Sequence, residues 1–435
     1  MMNKAPAADL SLSDVHGSVR VPRNAAWWRR LFAFIGPGYI IAVGYMDPGN
    51  WATDLAGGSG YGYTLLAVVL AASVFAMVLQ ALSAWLGIAT GRDLAQLSRD
   101  SVPGWGAVVL WLGAEGAIIG CDIAEVIGGA IALNLLFGLP LLLAAALTIL
   151  DAFLILLLLK RGMRLLEAAV MGLIGVISVS LVAEIVLAHP AVAPIAAGLI
   201  PHASLIGNPG ILYVGVGIIG ATVMPHNLYL HSALVQSRHI GASVREKKAA
   251  ILWALLDSCV ALFFAFFVNA AILVMAASVF HAHGHTDVQD LGSAFSLLAP
   301  ILGNHYAPMV FGAALLASGL NATVTGTLAG QVVMEGLLHL KFSAAFQRLL
   351  TRGLAVLPVL AVIALAGRHG VGQLLVLSQV ILSLQLPFAM LPLIYFTSRT
   401  KFLGALLPPL WLRSLGWIVT VIILVFDTAL LAATL

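Results

Sequence analysis

Long apolar runs, each about as long as a bilayer is thick, fill this chain from residue 31 to its end, with short polar joints between them. A transmembrane helix needs roughly 20 predominantly apolar residues. Eleven such runs are read, at roughly 31–57, 62–88, 105–136, 139–159, 165–188, 209–236, 249–280, 304–338, 347–367, 371–397 and 411–434. They are continuous rather than alternating, which excludes a β-barrel built from ten-residue strands. Two of them are interrupted in the same way. The first contains Tyr45-Met46-Asp47-Pro48-Gly49-Asn50, and the sixth contains Gly220-Ala221-Thr222-Val223-Met224-Pro225-His226-Asn227. A carboxylate in a span costs ~2.5–3.5 kcal/mol even on lenient insertion scales, so Asp47 needs a reason to be there. Pro48 has no N–H and crowds the carbonyl of Gly44, while Pro225 does the same to Ala221. Gly49 lets the backbone leave helical geometry cheaply.

Composition agrees with the pattern: 61% of residues are hydrophobic and 9% charged, against about 25% charged in soluble domains. The fold class expected is an all-α polytopic membrane protein. Charge placement then orients it. With the N-terminus inside and eleven crossings, 20 of the 21 Lys and Arg residues fall on the cytoplasmic side and only Arg368 falls outside, as the positive-inside rule requires. The C-terminus is then external. Residues 1–30, polar and then basic (Arg20, Arg23, Arg29, Arg30), lack the features of a cleaved signal peptide and are expected to stay as a cytoplasmic tail. Cys121 and Cys259 lie in apolar runs and suggest neither a disulfide framework nor a thiolate metal site. Trp27, Trp28, Trp105, Trp411 and Trp417 are placed as interfacial belts. The external stretch 281–303, with His281, His283, His285, Asp287 and Asp290, is read as an ordinary loop, metal gathering by its histidines being the alternative.

Spans one and six are five apart, so they cross in opposite directions. Matching breaks in the first span of two five-span halves point to an inverted-repeat transporter with a midplane site. The halves are 31–188 and 209–397, with 411–434 as an additional eleventh helix. The breaks offer the Asp47 carboxylate, the Asn50 amide oxygen, the carbonyls of Gly44 and Ala221, and the Met224 sulfur. Oxygen donors alone suit Na⁺, Mg²⁺ or Ca²⁺; a thioether suits borderline divalents such as Mn²⁺ and Fe²⁺ better. On span three, Glu115, Asp122 and Glu125 are spaced seven and three apart and share a helical face, which suggests a proton relay with Arg352 as a cationic partner. His226 and His231 can carry protons or tie down loosened backbone. Arg238, Asp257 and Asn269 are read as gating or packing groups.

Met46-Asp47-Pro48-Gly49-Asn50 and Met224-Pro225-His226-Asn227-Leu228-Tyr229-Leu230-His231-Ser232 together resemble the paired signatures of the Nramp family, proton-coupled divalent-metal symporters. The bacterial manganese branch is the nearest likeness. Gly91-Arg92-Asp93-Leu94, Asp122-Ile123-Ala124-Glu125 and Ser378-Gln379-Val380 also resemble family positions. The resemblance implies a LeuT-type fold. It implies metal binding by the Asp47, Asn50 and Met224 side chains, with carbonyls from Ala221 and Gly44, where the family often has alanine. Gln379 is implied to join in some conformations. A proton path between spans three and nine is also implied, often with two adjacent arginines; here Thr351 precedes Arg352, so one arginine is expected. The Mg²⁺-moving branch lacks the methionine, which Met224 argues against.

The function expected is import of Mn²⁺ or Fe²⁺ with protons by alternating access across the cell (inner) membrane. Substrates are metal ions and protons and the surroundings are lipid, with no cofactor, nucleic acid or nucleotide. No G-x-x-x-x-G-K-[ST] loop offers ATP drive, and no H-E-x-x-H pattern suggests an intramembrane enzyme. No repeated filter element suggests a channel. An organic-solute symporter on the same fold would not want Asp47 where a substrate carboxylate sits.

Overall fold

The computed structural model of the chain describes residues 16–20 and 33–434, apart from 289, 341 and 342. Most of the expected N-terminal tail, with Arg23, Arg29, Arg30, Trp27 and Trp28, lies outside the described residues, as does Lys341.

The first span is two helices, α1 (Pro37–Gly44) and α2 (Pro48–Tyr61). There follow α3 (Leu66–Thr90), a connecting helix α4 (Leu94–Ser101) and the long α5 (Gly104–Phe137). The fourth span is also divided, into α6 (Leu141–Leu147) and α7 (Ile149–Lys160), and α8 (Met163–Ala188) is the fifth. The sixth is α9 (Pro209–Val223) and α10 (Pro225–Leu234). Then come α11 (Val244–Val279), a short α12 (Leu291–Leu302) and α13 (Ala307–Leu338). The stretch α14 (Ala344–Thr397) is interrupted at Gly367, whose φ of 62° and ψ of −154° are open to glycine alone. α15 (Leu410–Thr434) closes the chain.

Among the described residues nine helices are long and apolar enough to cross a membrane, α14 supplying two of them on either side of its kink. The segmented first and fourth spans are not in that number; counting each as one crossing would make eleven. The division of span four at Thr148 was not expected. Stretch 281–303 also differs from the loop expected. Asp290 accepts from the backbone N–H of Gly292 and Ser293 and starts α12, the role a short acceptor plays at an N-cap.

The broken helices lie at the centre. α5 packs most extensively on α13 and α14, α9 on α14, and α2 on α11. Residues 209–237 are almost wholly enclosed by protein, whereas α8, α15 and the first half of α14 expose about two thirds of their apolar length. Large apolar side chains such as Phe263, Phe267, Val179 and Leu365 point outward, which suits lipid and not water. Trp105 and Trp411 are exposed at helix starts, and Trp417 is exposed two turns into α15. On the basic end of the bundle, a short strand at Val19–Arg20 pairs in parallel with Arg238–His239.

Candidate metal and proton site

Asp47 is the N-cap of α2 and Pro48 its first residue. That is the arrangement a helix start prefers: an acceptor side chain for the orphan N–H groups, then a residue with no N–H to orphan. The sequence therefore both ends α1 and begins α2 at one point, and it leaves a carboxylate there. Asp47 Oδ1 accepts from the Asn50 N–H at 2.8 Å and from Asn50 Nδ2 at 2.7 Å. The same Nδ2 donates to the Ala221 carbonyl of α9 at 2.9 Å. The Asn50 oxygen accepts from Thr222 Oγ1 and from Asn269 Nδ2, both at 3.2 Å. One amide thus ties the two breaks together. The Gly44 carbonyl accepts a long bond of 3.4 Å from the Asp47 N–H.

At the other break Met224 caps α10 with φ 41° and ψ 103° and no capping side chain. A positive φ is rare outside Gly, Asn and Asp, and such strain persists only where surrounding structure enforces it. It turns the fully buried thioether out of the helix, to a sulfur position 3.4 Å from Asn227 Nδ2. A Cβ built on Gly44 would collide with Asn227 Nδ2 and meet that sulfur at 3.3 Å, so the Met224 side chain reaches the Gly44 backbone across the breaks. A Cβ on Gly49 would collide with the amide of Gln379. Gln379 from α14 thus lies directly against the break, its Oε1 buried and without a partner among the described residues.

Asp47, Asn50, Ala221, Met224, Gly44 and Gln379 are therefore brought together. The donor set holds a single carboxylate. Among the described residues no three His, Cys, Asp or Glu converge as a metal-binding group, and the histidines of 281–285 are no exception. His281 Nδ1 bonds the Ser59 carbonyl at 2.7 Å and His283 Nδ1 the Val279 carbonyl at 2.8 Å.

The span-three carboxylates divide. Arg348 reaches Asp122 at 2.6 Å and Glu125 at 3.0 Å. Arg352 reaches Glu125 at 2.6 Å and Asp122 at 3.4 Å. Glu115, two turns earlier, makes no ion pair with either arginine. The expectation of one arginine is corrected. A second is present, placed one helical turn before Arg352, where side chains four apart share a face. Arg348, one of the 20 charges counted on the cytoplasmic side, is buried. Sequence reasoning also missed Asp151 of α7, which pairs with Arg352; its signal was the one used for Asp47, a carboxylate inside an apolar run. Cys121 was read as part of neither a disulfide framework nor a thiolate metal site. Its Sγ lies 4.0 Å from Asp47 Oδ2 and 3.7 Å from Glu125 Oε1, between the two clusters.

His226 is buried and neither ring nitrogen has a partner among the described residues. His231 is spoken for, by Gln80 at 3.0 Å and Ser258 at 3.1 Å, and Gln80 also donates to the Tyr45 hydroxyl. At the basic end a polar clamp holds the start of α1. Asp257 accepts from the Gly38 N–H at 2.7 Å. Arg238 reaches Glu167 at 2.9 Å and the Ile35 carbonyl at 3.0 Å. The half-exposed Arg164 binds Glu167 from the other side at 3.0 Å.

Residues 38–433 match the family described as natural resistance-associated macrophage protein-like, Nramp. A divalent metal cation transporter MntH of Xanthomonas campestris pv. campestris is 55% identical over 424 residues, 98% of this chain and 96% of that one. The structure of an Eremococcus coleocola manganese transporter, in complex with an aromatic bis-isothiourea substituted compound, superposes with a TM-score of 0.89. It is 39% identical and covers 96% of this chain and 90% of that one. MhsT in complex with L-phenylalanine, at 17% identity and TM-score 0.61 over 90% of this chain and 98% of that one, shares the fold alone.

Proposed function

Because the chain belongs to the Nramp family, we propose that it imports a divalent transition metal, Mn²⁺ and also Fe²⁺, in symport with protons through a LeuT-type fold. It is an integral membrane protein and not an enzyme. The cytoplasmic membrane, with the N-terminus inside and the C-terminus outside, is the setting that the lysine and arginine placement supports.

The observation that carries the reading is the pair of facing helix breaks, with Asp47 and Asn50 on one and the strained Met224 on the other. Asp47 supplies the charge, and the Ala221 and Gly44 carbonyls supply fixed dipoles. Met224 supplies the softer donor that Mg²⁺ and Ca²⁺ have little use for. Asn50 would turn its amide so that the oxygen faces the ion, releasing the Ala221 carbonyl at the same time. Gln379 approaches over Gly49. Protons would use Asp47, His226 and the cluster of Glu115, Asp122 and Glu125 with Arg348 and Arg352. The two five-span halves, 31–188 and 209–397, would rock about the site, with helix 411–434 outside them. In that motion the Arg238–Glu167–Asp257 clamp serves as the inner gate.

Uptake into proteoliposomes, with Mn²⁺, Fe²⁺, Mg²⁺ and Ca²⁺ in competition and a luminal pH dye, tests this. Mn²⁺ should enter, acidify the lumen and outcompete Mg²⁺ and Ca²⁺. Mn²⁺ entry that persists at the wild-type rate in Asp47→Ala would refute the site.

A further inference from the structure

Helix α15 carries one carboxylate that the function as proposed does not use. The helix lies outside the two five-span halves and exposes about two thirds of its apolar length. Asp427 nevertheless stands in it, turned inward and buried. A carboxylate inside a span is costly, and needs a reason to be there. Its Oδ1 accepts from Ser383 Oγ of α14 at 2.7 Å, a bond that joins span eleven to span ten. Its Oδ2 is buried and has no partner among the described residues. Leu430, three residues on and so on the same face, is packed in one cluster with Val380 of α14 and with Leu212 and Val216 of α9. α15 therefore rests on both α9, which leads into the second break, and the half of α14 that bears Gln379.

Ser383 and Gln379 are four residues apart, about one helical turn, and that turn lies directly on the backbone of Gly220. A Cβ built on Gly220 would collide with the Gln379 carbonyl, and would come within 2.6 Å of the Ser383 nitrogen and 3.0 Å of its Cβ. Only a residue without a side chain lets two helix backbones approach so closely. Gly220 directly precedes Ala221, and its own carbonyl accepts from the Met224 N–H at 3.2 Å. The Gln379 amide is tied to its own helix, Nε2 donating to the Ser378 hydroxyl at 2.8 Å. Where that amide lies over Gly49 is thus set by where span ten lies. The Gly220 contact stops span ten from coming closer, but a steric stop does not prevent sliding or rotation. The Ser383–Asp427 bond is directional and does, and in a low-dielectric interior such a bond is stronger than in water.

We propose that Asp427 is a positioning residue of the metal site. Through Ser383 it fixes the turn that carries Gln379, so that the amide lies over Gly49 beside Asp47 and Asn50. Asp427 itself touches no ion. The role needs an accepting oxygen and not a charge, so asparagine can fill it and leucine cannot. Span eleven, outside both repeats, thereby contributes to the affinity for metal. This rests on the reading of Gln379 as a member of the metal site.

The test is the KM and maximal rate of Mn²⁺ uptake in proteoliposomes, per folded protein counted by size exclusion, with the melting temperature alongside. Gln379→Ala is measured first; a wild-type KM there defeats the placement of Gln379 in the site, and this proposal with it. With KM raised in Gln379→Ala, Asp427→Leu should raise KM at least threefold while the maximal rate stays within about twofold of wild type. Asp427→Asn should keep KM within about 1.5-fold of wild type, since the Ser383 hydroxyl keeps its acceptor. Ser383→Ala removes the same bond by the loss of one oxygen, and decides the matter where Asp427→Leu fails to fold. In a Gln379→Ala background, Asp427→Leu or Ser383→Ala should change KM by less than about 1.5-fold, because the side chain they position is gone. A wild-type KM in Ser383→Ala or in folded Asp427→Leu, even with a lowered melting temperature, overturns the role of Asp427 and leaves the metal site standing. So does an Asp427→Asn protein as impaired as Asp427→Leu, or a threefold rise that persists without Gln379.

Discussion

Removing Arg238 should open the basic end of the molecule, and its size can be worked from the clamp. The Arg238–Glu167 pair is buried on both sides, at 0% and 2% side-chain exposure. Breaking such a pair by deleting one partner costs ~3–5 kcal/mol, because the other charge stays buried alone. Glu167 keeps Arg164, which is 49% exposed and so offsets only the ~0–1 kcal/mol of a solvent-screened pair. The closed clamp in Arg238→Ala should therefore lose about 2–5 kcal/mol relative to an open one, in which Glu167 meets water. That shifts the closed-to-open ratio by roughly 30- to 5,000-fold. Cys121 is a native reporter, fully buried and next to Asp47. In a Cys259→Ser background, its modification by a small maleimide applied from the cytoplasmic side should accelerate by at least tenfold in Arg238→Ala. Arg164→Ala, which removes the exposed partner only, should accelerate it less than threefold. Equal effects of the two substitutions, or an unchanged rate in Arg238→Ala, would show that burial of this pair does not hold the gate.

Further outcomes follow from the site. Asp47→Ala removes the only carboxylate of the donor set and should lower Mn²⁺ uptake at least 100-fold, measured with isotope in vesicles. Met224→Ala should leave some Mn²⁺ uptake but let Mg²⁺ or Ca²⁺ compete at least tenfold better; unchanged competition would return the methionine to packing. Gly49→Ala puts a methyl group where the Gln379 amide lies and should raise the KM for Mn²⁺ several-fold, which a Gly49→Ala, Gln379→Ala double variant should partly reverse. His281→Ala breaks a bond to the Ser59 carbonyl, away from the metal donors, so metal affinity measured by calorimetry should not change.

Much of this architecture could be read before any coordinates, for a physical reason. In a bilayer, charge and helix-breaking residues are costly, so each one inside an apolar run marks a purpose. Asp47 and Pro48 were legible on that ground, as were Met224 beside Pro225 and the span-three carboxylates. What escaped was what depends on which faces meet. Arg348 reads as a flanking charge because positive flanks are common; only the packing of α14 against α5 turns it inward. Cys121 carries no charge to announce itself. The strain at Met224, with φ 41°, is invisible in a residue name. Asp151 is a different case: the rule that found Asp47 applies to it equally, and the run Leu141 to Leu159 was long enough to conceal one acidic residue. The division at Thr148 had no proline to signal it.

The placement of Cys121 bears on how metal and proton movements are linked. Its contacts to Asp47 and Glu125 put those carboxylates under about 8 Å apart. At an effective dielectric of about 20, a unit charge at that distance is felt as about 2 kcal/mol. A divalent ion that displaces a proton from Asp47 raises the charge there by one unit, which favours loss of a proton from the Glu125 cluster by roughly 30-fold. No conformational relay is needed for that coupling; distance and low dielectric suffice. Cys121 must then keep the space between the two carboxylates dry. A polar or water-admitting side chain there would raise the local dielectric, and at about 40 the coupling halves. Cys121→Ser should therefore weaken the dependence of Mn²⁺ affinity on pH, while Cys121→Ala, which keeps the contact dry, should preserve it. The same pH dependence of binding in both variants would mean that the link between the two clusters runs elsewhere.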